Sequence, residues 1–190
     1  MQSQPPNHYQ RPLMANRLDM EFSYRLKEKS GVDFNRCYHC SACTNGCPFV
    51  EAMDYTPNSV IRLSQYGLSE EVLNCGTIWI CVGCNTCSCY CPMAIDIPAL
   101  MDTLREMAIE KGFIGPQPDV LAFHREVLHS IAHYGRTHKL EIMLRYKIQK
   151  RNWFQDLDVG LRMIAKRKLD LTPSKVKGID EIKNLFQSKK

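Results

Sequence analysis

The sequence predicts an all-α protein. Apolar residues recur with i, i+3, i+4 spacing in several segments, and residues that commonly start or stop helices bound these segments. No segment shows the sustained alternation of apolar and polar residues that half-buried strands require. The chain has 190 residues, of which 44% are hydrophobic, so it is long enough to bury a sizeable core.

The first expected helix spans residues 16–30. Leu18, Phe22 and Leu26 recur every four residues and predict its apolar face, and Gly31 is its expected stop. The helix leads directly into a run of cysteines.

Further helices are expected along the rest of the chain. The clearest one follows Asp96, a good N-cap, and has Pro98 in its first turn. In chain order the other expected ranges are 57–66 closed by Gly67, 69–74, 120–134 closed by Gly135, 138–150 and 155–169.

These elements suggest four parts. Residues 1–15, rich in Pro, Gln and Asn, are expected to form a flexible arm, and residues 16–115 a cysteine-rich helical domain. Residues 116–171 form a C-terminal helical segment suited to partner docking, and residues 172–190 a basic, less ordered tail.

The amino-terminal residues lack the apolar stretch of a secretory signal, so we expect no export and a reducing, cytoplasmic setting. The uncharged stretch 72–95 contains Asn, Gly, Ser, Pro and six cysteines, which is too polar for a lipid-facing helix, so no transmembrane span is expected. Ten cysteines among 190 residues fall below the density of a disulfide scaffold, and disulfides would not persist in a reducing compartment. The cysteines therefore indicate metal binding.

Two cysteine runs share one spacing. The runs are "CYHCSACTNGCP", which begins at Cys37, and "CVGCNTCSCYCP", which begins at Cys81, and an offset of 44 aligns every cysteine of the first with one of the second. This C-x2-C-x2-C-x3-C-P pattern is typical of proteins with two [4Fe-4S] clusters, in which the fourth cysteine of each run ligates the other cluster. The predicted ligands are Cys37, Cys40, Cys43 and Cys91 for cluster 1 and Cys81, Cys84, Cys87 and Cys47 for cluster 2.

Zinc is the main alternative, because Cys-x2-Cys pairs commonly form four-thiolate zinc sites. Zinc sites usually use two separated pairs, however, whereas this chain offers triplets followed by a fourth cysteine and proline. Cys75 and Cys89 lie outside the ligand pattern, and Cys89 aligns with Asn45. Both are expected to be packing residues, with a redox or alternative-ligand role as the alternative.

The six histidines are weaker candidates. His124, His129 and His133 share one expected helix and would suit a metal or haem, but partly buried or surface histidines are the simpler interpretation. His39, within the first run, either covers a cluster or tunes it by hydrogen bonding.

The positive charge lies in the second half of the chain. Residues 1–100 contain 7 Lys and Arg against 9 Asp and Glu, while residues 101–190 contain 18 against 11. A basic half suits nucleic acid, an anionic membrane surface or an acidic protein, or it is simply a solvated surface. Eight thiolates and two oxidised cluster cores would bring the net charge from +5 to about +1, which argues against a nucleic-acid partner.

No Gly-rich phosphate loop, nucleophile elbow or acid-base pair with a motif around it is present in the sequence, so no substrate-converting site is expected. A cluster with four protein ligands has no open position for substrate and passes single electrons instead.

The two runs, the insert "TPNSVIRLSQYGLSEEVLNCGTIWICVGC" and the segment "CPMAIDIPALMDTLREMAIEKGF" resemble the C subunit of heterodisulfide reductase, an alpha-helical ferredoxin, over about residues 18–115. The segment "FHREVLHSIAHYGRTHKLEIMLRYKIQKRNWFQDL" is similar to the forms of sulfur-oxidising or sulfate-reducing microbes rather than to the methanogen type. The resemblance implies a sulfur-metabolism complex in which this chain relays electrons between a flavoprotein (the A subunit) and a cysteine-rich, disulfide-processing protein (the B subunit). A free two-cluster ferredoxin and a zinc-stapled, basic, nucleic-acid-binding module are the alternatives.

Overall fold

The computed structural model describes residues 18–113, 118–150, 162, 163, 166 and 176–187, and every regular element among them is helical. The prediction of an all-α protein is confirmed. The helices are α1 (Met20–Ser30), α2 (Ala42–Asn45), α3 (Pro57–Gln65), α4 (Ser69–Leu73), α5 (Thr77–Ile80), α6 (Thr86–Cys89), α7 (Ile97–Glu110), α8 (Pro118–Tyr134), α9 (Lys139–Lys150) and α10 (Ile179–Gln187). Two single 3₁₀ turns, Phe34–Arg36 and Val50–Ala52, flank the first cysteine run.

Helix α1 begins later than the sequence suggested. The Asp19 carboxylate accepts a hydrogen bond from the Phe22 amide at 2.9 Å and so caps the helix at Met20. Leu18, expected on the apolar face, therefore precedes the helix and is 66% exposed, whereas Phe22 and Leu26 are fully buried. The expected stop is confirmed, since Gly31 has φ 65° and its amide donates to the Lys27 carbonyl.

Helices α3 and α4 form the insert between the cysteine runs, close to their expected ranges. Thr56 caps α3 by accepting from the Ser59 amide, and Pro57 occupies the first turn. Gly67 ends α3 with φ 69°, and its carbonyl accepts from the Asp19 amide at 2.9 Å, which ties the insert to the start of α1.

Helix α7 organises the core of the cysteine-rich region. Asp96 caps it by accepting from the Ala99 amide, as the sequence predicted, and α7 packs against α1, α4, α5 and α6. Among its side chains Leu100, Met101 and Leu104 are essentially fully buried. Each contributes roughly 1.5–3 kcal/mol of burial free energy, so α7 supports the second cysteine run, which lies on α6 and directly follows α5.

The chain divides into two compact units, Met1–Pro118 and Asp119–Lys190. In the second unit, Gly135 ends α8 with φ 77°, as expected, and α9 closely matches its expected range. Val176 and Ile182 lie against Gly135, and the Val176 amide donates to the Tyr134 carbonyl.

Within the expected basic tail, residues 179–187 form α10. Ile182 of that helix lies against Gly135 at the end of α8, whereas Leu185 and Phe186 are exposed. The expected arm 1–15 lies outside the described residues, and the expected helix 155–169 does so except at residues 162, 163 and 166.

Candidate metal centre

The two cysteine runs fold into the same local structure. Cys37 and Cys81 each follow a short helical turn in extended conformation, with φ/ψ of −66°/121° and −60°/120°. Helices α2 and α6, which carry the third cysteine of each run, begin and end at positions one repeat apart along the sequence and contact each other. The repeat in sequence is therefore also a repeat in conformation.

Both loops bend through left-handed backbone at the same two positions. His39 and Gly83 have φ of 62° and 64°, and Ser41 and Asn85 have φ of 62° and 61°. A residue other than glycine costs on the order of 1–2 kcal/mol in this region, and such strain persists only where the surroundings impose it. In each run, the two bends turn the backbone around the second cysteine.

A partly enclosed cavity lies between the runs and is bordered by four thiols, one from the first run and three from the second. Its lining includes Cys47, Cys81, Cys84 and Cys87, and apolar side chains such as Phe49, Met53, Ile97 and Met101 form its walls. Burial, then the neighbouring thiol of Cys81, raises the pKa of Cys87 to about 11. The cavity thus combines soft donors with apolar walls.

Three of the remaining thiols of the pattern act on Tyr38. Partial desolvation raises the pKa of the Tyr38 phenol, and the thiols of Cys40, Cys91 and Cys37 raise it further. Burial likewise raises the pKa of Cys43, which interacts with Cys37. Cys47 thus borders the cavity with three cysteines of the second run, while Cys91 acts on Tyr38 together with Cys37 and Cys40.

This donor set fits an iron–sulfur cluster. Thiolates are the protein ligands of such clusters, and thiols with raised pKa values lose their protons when a cation binds, so folding and binding are coupled. Cys43 also interacts electrostatically with Cys87, which joins the two groups of thiols. Across residues 18–113, 118–150 and the described parts of the tail, no three His, Cys, Asp or Glu side chains are gathered closely enough to hold a single ion.

Cys75 and Cys89 occupy different environments. Cys75 is 2% exposed, and burial, followed by the nearby Asp54 carboxylate, raises its pKa to about 12. Cys89 is exposed at the end of α6, where the first run has Asn45 at the end of α2.

Asp54 joins the end of the first run to the start of α5, and sequence reasoning missed it. Its carboxylate accepts from the amides of Gly76 and Thr77 at 2.6 and 2.7 Å, from the Thr77 hydroxyl at 2.6 Å and from the Tyr55 amide at 3.0 Å. Because α5 leads directly into Cys81, this carboxylate sets where the second run begins. No local pattern reveals it, since the bonded partners lie 22 and 23 residues away.

His39 is held beside the first run by neutral groups. Its Nε2 lies 2.8 Å from Gln65 Oε1, and its Nδ1 lies 3.3 Å from Asn58 Nδ2 and 3.9 Å from Cys37 Sγ. The bond to the Gln65 oxygen requires a proton on Nε2, so Nδ1 accepts from Asn58. The ring is half-buried and lies against Cys37.

Arg105 on α7 is the cation that contacts the second run, and sequence reasoning missed it too. Its guanidinium donates to the carbonyls of Ile78 and Cys81 and pairs with Asp102. Its side chain is only 16% exposed. The i, i+3, i+4 pattern marked α7 as amphipathic but gave no sign of what its polar side chains reach.

The histidines of α8 are surface groups. His129 and His133 stack with ring centroids 6.1 Å apart, and they and His124 are exposed. In the described part of the chain, the structure shows no helix long and apolar enough to cross a membrane.

The fold and the donor set define a class of protein. Residues 33–95 match the family model described as "4Fe-4S dicluster domain", which indicates that this part of the chain carries two [4Fe-4S] clusters. The chain is an iron–sulfur protein of the all-helical dicluster type.

More particularly, the chain is similar to C subunits of heterodisulfide reductases. It is 31% identical over 99 residues to the C subunit of the "H(2):CoB-CoM heterodisulfide,ferredoxin reductase" of Methanothermobacter marburgensis, an alignment covering 52% of this chain and 54% of that protein. It is 29% identical to the C subunit of the "Ferredoxin:CoB-CoM heterodisulfide reductase" of Methanosarcina mazei over 62% of this chain and 68% of that protein. It is 30% identical to a protein of Archaeoglobus profundus named as similar to the C subunit of heterodisulfide reductase, over 64% of each. The chain thus spans about half the length of the first of these relatives.

Proposed function

We propose that this chain is the electron-transfer subunit of a heterodisulfide reductase-like complex. It relays single electrons through its two clusters between a flavoprotein, the A subunit, and a cysteine-rich, disulfide-processing protein, the B subunit. The observation that carries this proposal is the gathering of eight thiols into two neighbouring groups that each draw on both runs. The chain's similarity to C subunits supports the setting.

The proposed ligands are the two crossed sets. Cluster 1 is held by Cys37, Cys40, Cys43 and Cys91, and cluster 2 by Cys47, Cys81, Cys84 and Cys87. The cavity bordered by the second set and the interactions of Tyr38 with three members of the first support this division. A [4Fe-4S] cluster supplies one-electron chemistry at each position.

The protein's own residues hold the two sets close together, with Cys43 buried between them. Cys43 and Cys87 interact with each other across the two sets, and α2 and α6, which carry them, are in contact. Cys40 and Cys84 are exposed, one in each set. Each set thus has one edge toward the surface and one toward the other set, which is the arrangement a relay requires.

A ligand test uses serine substitutions with a matched control. Replacing Cys84 with serine is expected to lower bound iron by about half of the roughly eight irons that two clusters contain. Cys89→Ser, on α6 and outside both ligand sets, is expected to leave the iron and labile sulfide content unchanged. Equal losses in both variants would contradict the ligand sets.

Anaerobic purification separates the candidate functions. A lasting complex with a flavoprotein and a cysteine-rich protein supports the proposal, and a monomer that exchanges electrons with several partners supports a free ferredoxin. Zinc without iron or labile sulfide in the purified protein would support the zinc-stapled module instead.

The second unit is the proposed docking segment. Phe123 and Leu128 of α8 and Leu144 and Ile148 of α9 are exposed. Replacing Leu144 with glutamate is expected to weaken copurification of the complex while iron content stays unchanged. The complex is proposed to be cytoplasmic, to contain no nucleic acid and to act in sulfur metabolism.

A further inference from the structure

We propose that Arg105 makes the two clusters unequal, so that the cluster held by Cys47, Cys81, Cys84 and Cys87 is the more easily reduced one. This inference rests on the proposed function, because it needs both clusters in their crossed sites. Arg105 acts here as a positioning and charge-setting residue on α7, outside the ligand sets.

The two runs share one backbone conformation but have different neighbours. The carbonyl of Cys81, the first cysteine of the second run, accepts a hydrogen bond from the Arg105 guanidinium. In the first run, the Cys37 sulfur lies 3.9 Å from Nδ1 of His39, a ring that Asn58 and Gln65 hold through hydrogen bonds from neutral groups. The second run therefore has a cation beside it, whereas the first run has an uncharged hydrogen-bond network.

The position of Arg105 makes its charge effective. A guanidinium stays protonated at any pH at which the protein is folded, and its rigid fork is held here by the carbonyls of Ile78 and Cys81. Because only 16% of the side chain is exposed, water and salt screen its field weakly toward the interior. Its partner Asp102 is 64% exposed and is screened more strongly, so it offsets only part of the charge.

Other charges near the runs are weaker candidates. Arg36 precedes Cys37 but is exposed, so solvent screens it. The Asp54 carboxylate lies near α5, but the two amides and the hydroxyl that it accepts from oppose its charge. Reduction adds one negative charge to a cluster, and the nearby fixed cation stabilises that state. An electron held by the chain therefore resides preferentially on cluster 2.

The test is a redox titration of the purified, cluster-loaded protein followed by electron paramagnetic resonance. The wild type is expected to show two separate reduction steps. In Arg105→Gln, the step at the higher reduction potential is expected to move to a lower potential. At a fixed solution potential the ratio of reduced to oxidised cluster then falls about tenfold, which corresponds to a shift of about 59 mV for one electron. The lower step is expected to stay in place, and Cys84→Ser is expected to perturb the step that Arg105→Gln moves.

Further variants separate charge from structure. Arg105→Lys keeps the cation and is expected to keep the order of the two steps, even where its lost hydrogen bonds lower the melting temperature. Asp102→Asn removes the exposed counter-charge without touching a buried contact and is expected to raise the same step. Arg36→Gln is the matched control and is expected to move neither step appreciably.

Several results would overturn the inference. These are an unchanged titration in Arg105→Gln, equal movement of both steps, or movement of the step that Cys84→Ser leaves alone. If Arg105→Gln fails to retain iron, the Asp102→Asn variant becomes the test. The inference is then refuted if Asp102→Asn does not raise the potential of one step while leaving the other unchanged. A wild type without eight irons defeats the proposed function, whereas eight irons with no dependence on Arg105 defeats this inference alone.

Discussion

Replacing Asp54 with alanine removes one carboxylate from the junction between the first cysteine run and α5. The amides of Gly76 and Thr77 both donate to this carboxylate, and both residues are buried, so alanine leaves two buried donors without their acceptor. The Thr77 hydroxyl keeps an alternative acceptor in the Tyr55 carbonyl at 2.6 Å and loses less.

The expected cost follows from these bonds. A hydrogen bond to a charged group contributes roughly 1.5–3 kcal/mol, and the lower value applies because Asp54 is only half-buried. Two such bonds give about 3 kcal/mol of lost stability. For a chain of this size that corresponds to a drop in melting temperature of roughly 6–12 °C.

The assay is thermal unfolding of the cluster-loaded protein under anaerobic conditions, followed by far-ultraviolet circular dichroism, together with the rate at which a chelator removes iron. Asp54→Asn is the matched variant, since its amide oxygen still accepts hydrogen bonds but carries no charge. It is expected to lose about half as much stability as Asp54→Ala. Asp96→Ala removes a single exposed capping bond on α7 and is expected to cost about 1 kcal/mol.

The result that refutes the reasoning is specific. If Asp54→Ala melts no lower than Asp96→Ala and releases iron at the wild-type rate, the carboxylate does not hold α5 in place. The second run would then be positioned by its ligands and by α7 alone.

Three further predictions concern residues outside the ligand sets. Under native conditions iodoacetamide is expected to alkylate Cys89 and to spare buried Cys75 until the protein unfolds, as peptide mass spectrometry would show; modification of Cys75 in the folded protein would contradict its burial. Burial, and then the neighbouring Glu71, raises the pKa of Tyr55 from 10 to about 12. The stability that its neutral phenol contributes is therefore present below pH 10 and is lost as the pH rises toward 12. Urea titrations at about pH 9 and about pH 11, on either side of the unfolded-state pKa, are expected to show a smaller loss with pH in Tyr55→Phe than in the wild type, and equal slopes would refute the assignment. Gly67→Ala is expected to cost more than about 1 kcal/mol, because φ is 69° and the new Cβ meets the backbone at the start of α1; a melting temperature equal to that of the wild type would show that this junction relaxes freely.

Local sequence signals predicted most of the helices because those signals act within one or two turns. Asp96 and Gly135 cap or stop helices through bonds to residues three or four positions away, so the residue type alone revealed them. The prediction for Leu18 was misleading for the same reason. Its spacing matched the apolar face, but Asp19 caps the helix, which therefore begins after Leu18. Helices α2, α5 and α6 were missed because four residues are too few to show a period.

The chemistry of this protein can be deduced from the order of its residues: two triplets of thiols, each with a fourth cysteine and a proline, are enough to indicate two clusters, because ligand type and spacing decide which metal group is held. The difference between the two runs, in contrast, arises only from packing. Their backbones repeat, but Asp54 reaches the start of α5 and Arg105 reaches the second run from 22 or more residues away, while Asn58 and Gln65 reach His39 in the first. A charge acts through space rather than along the chain, so identical spacings acquire unequal surroundings only when the helices pack around them.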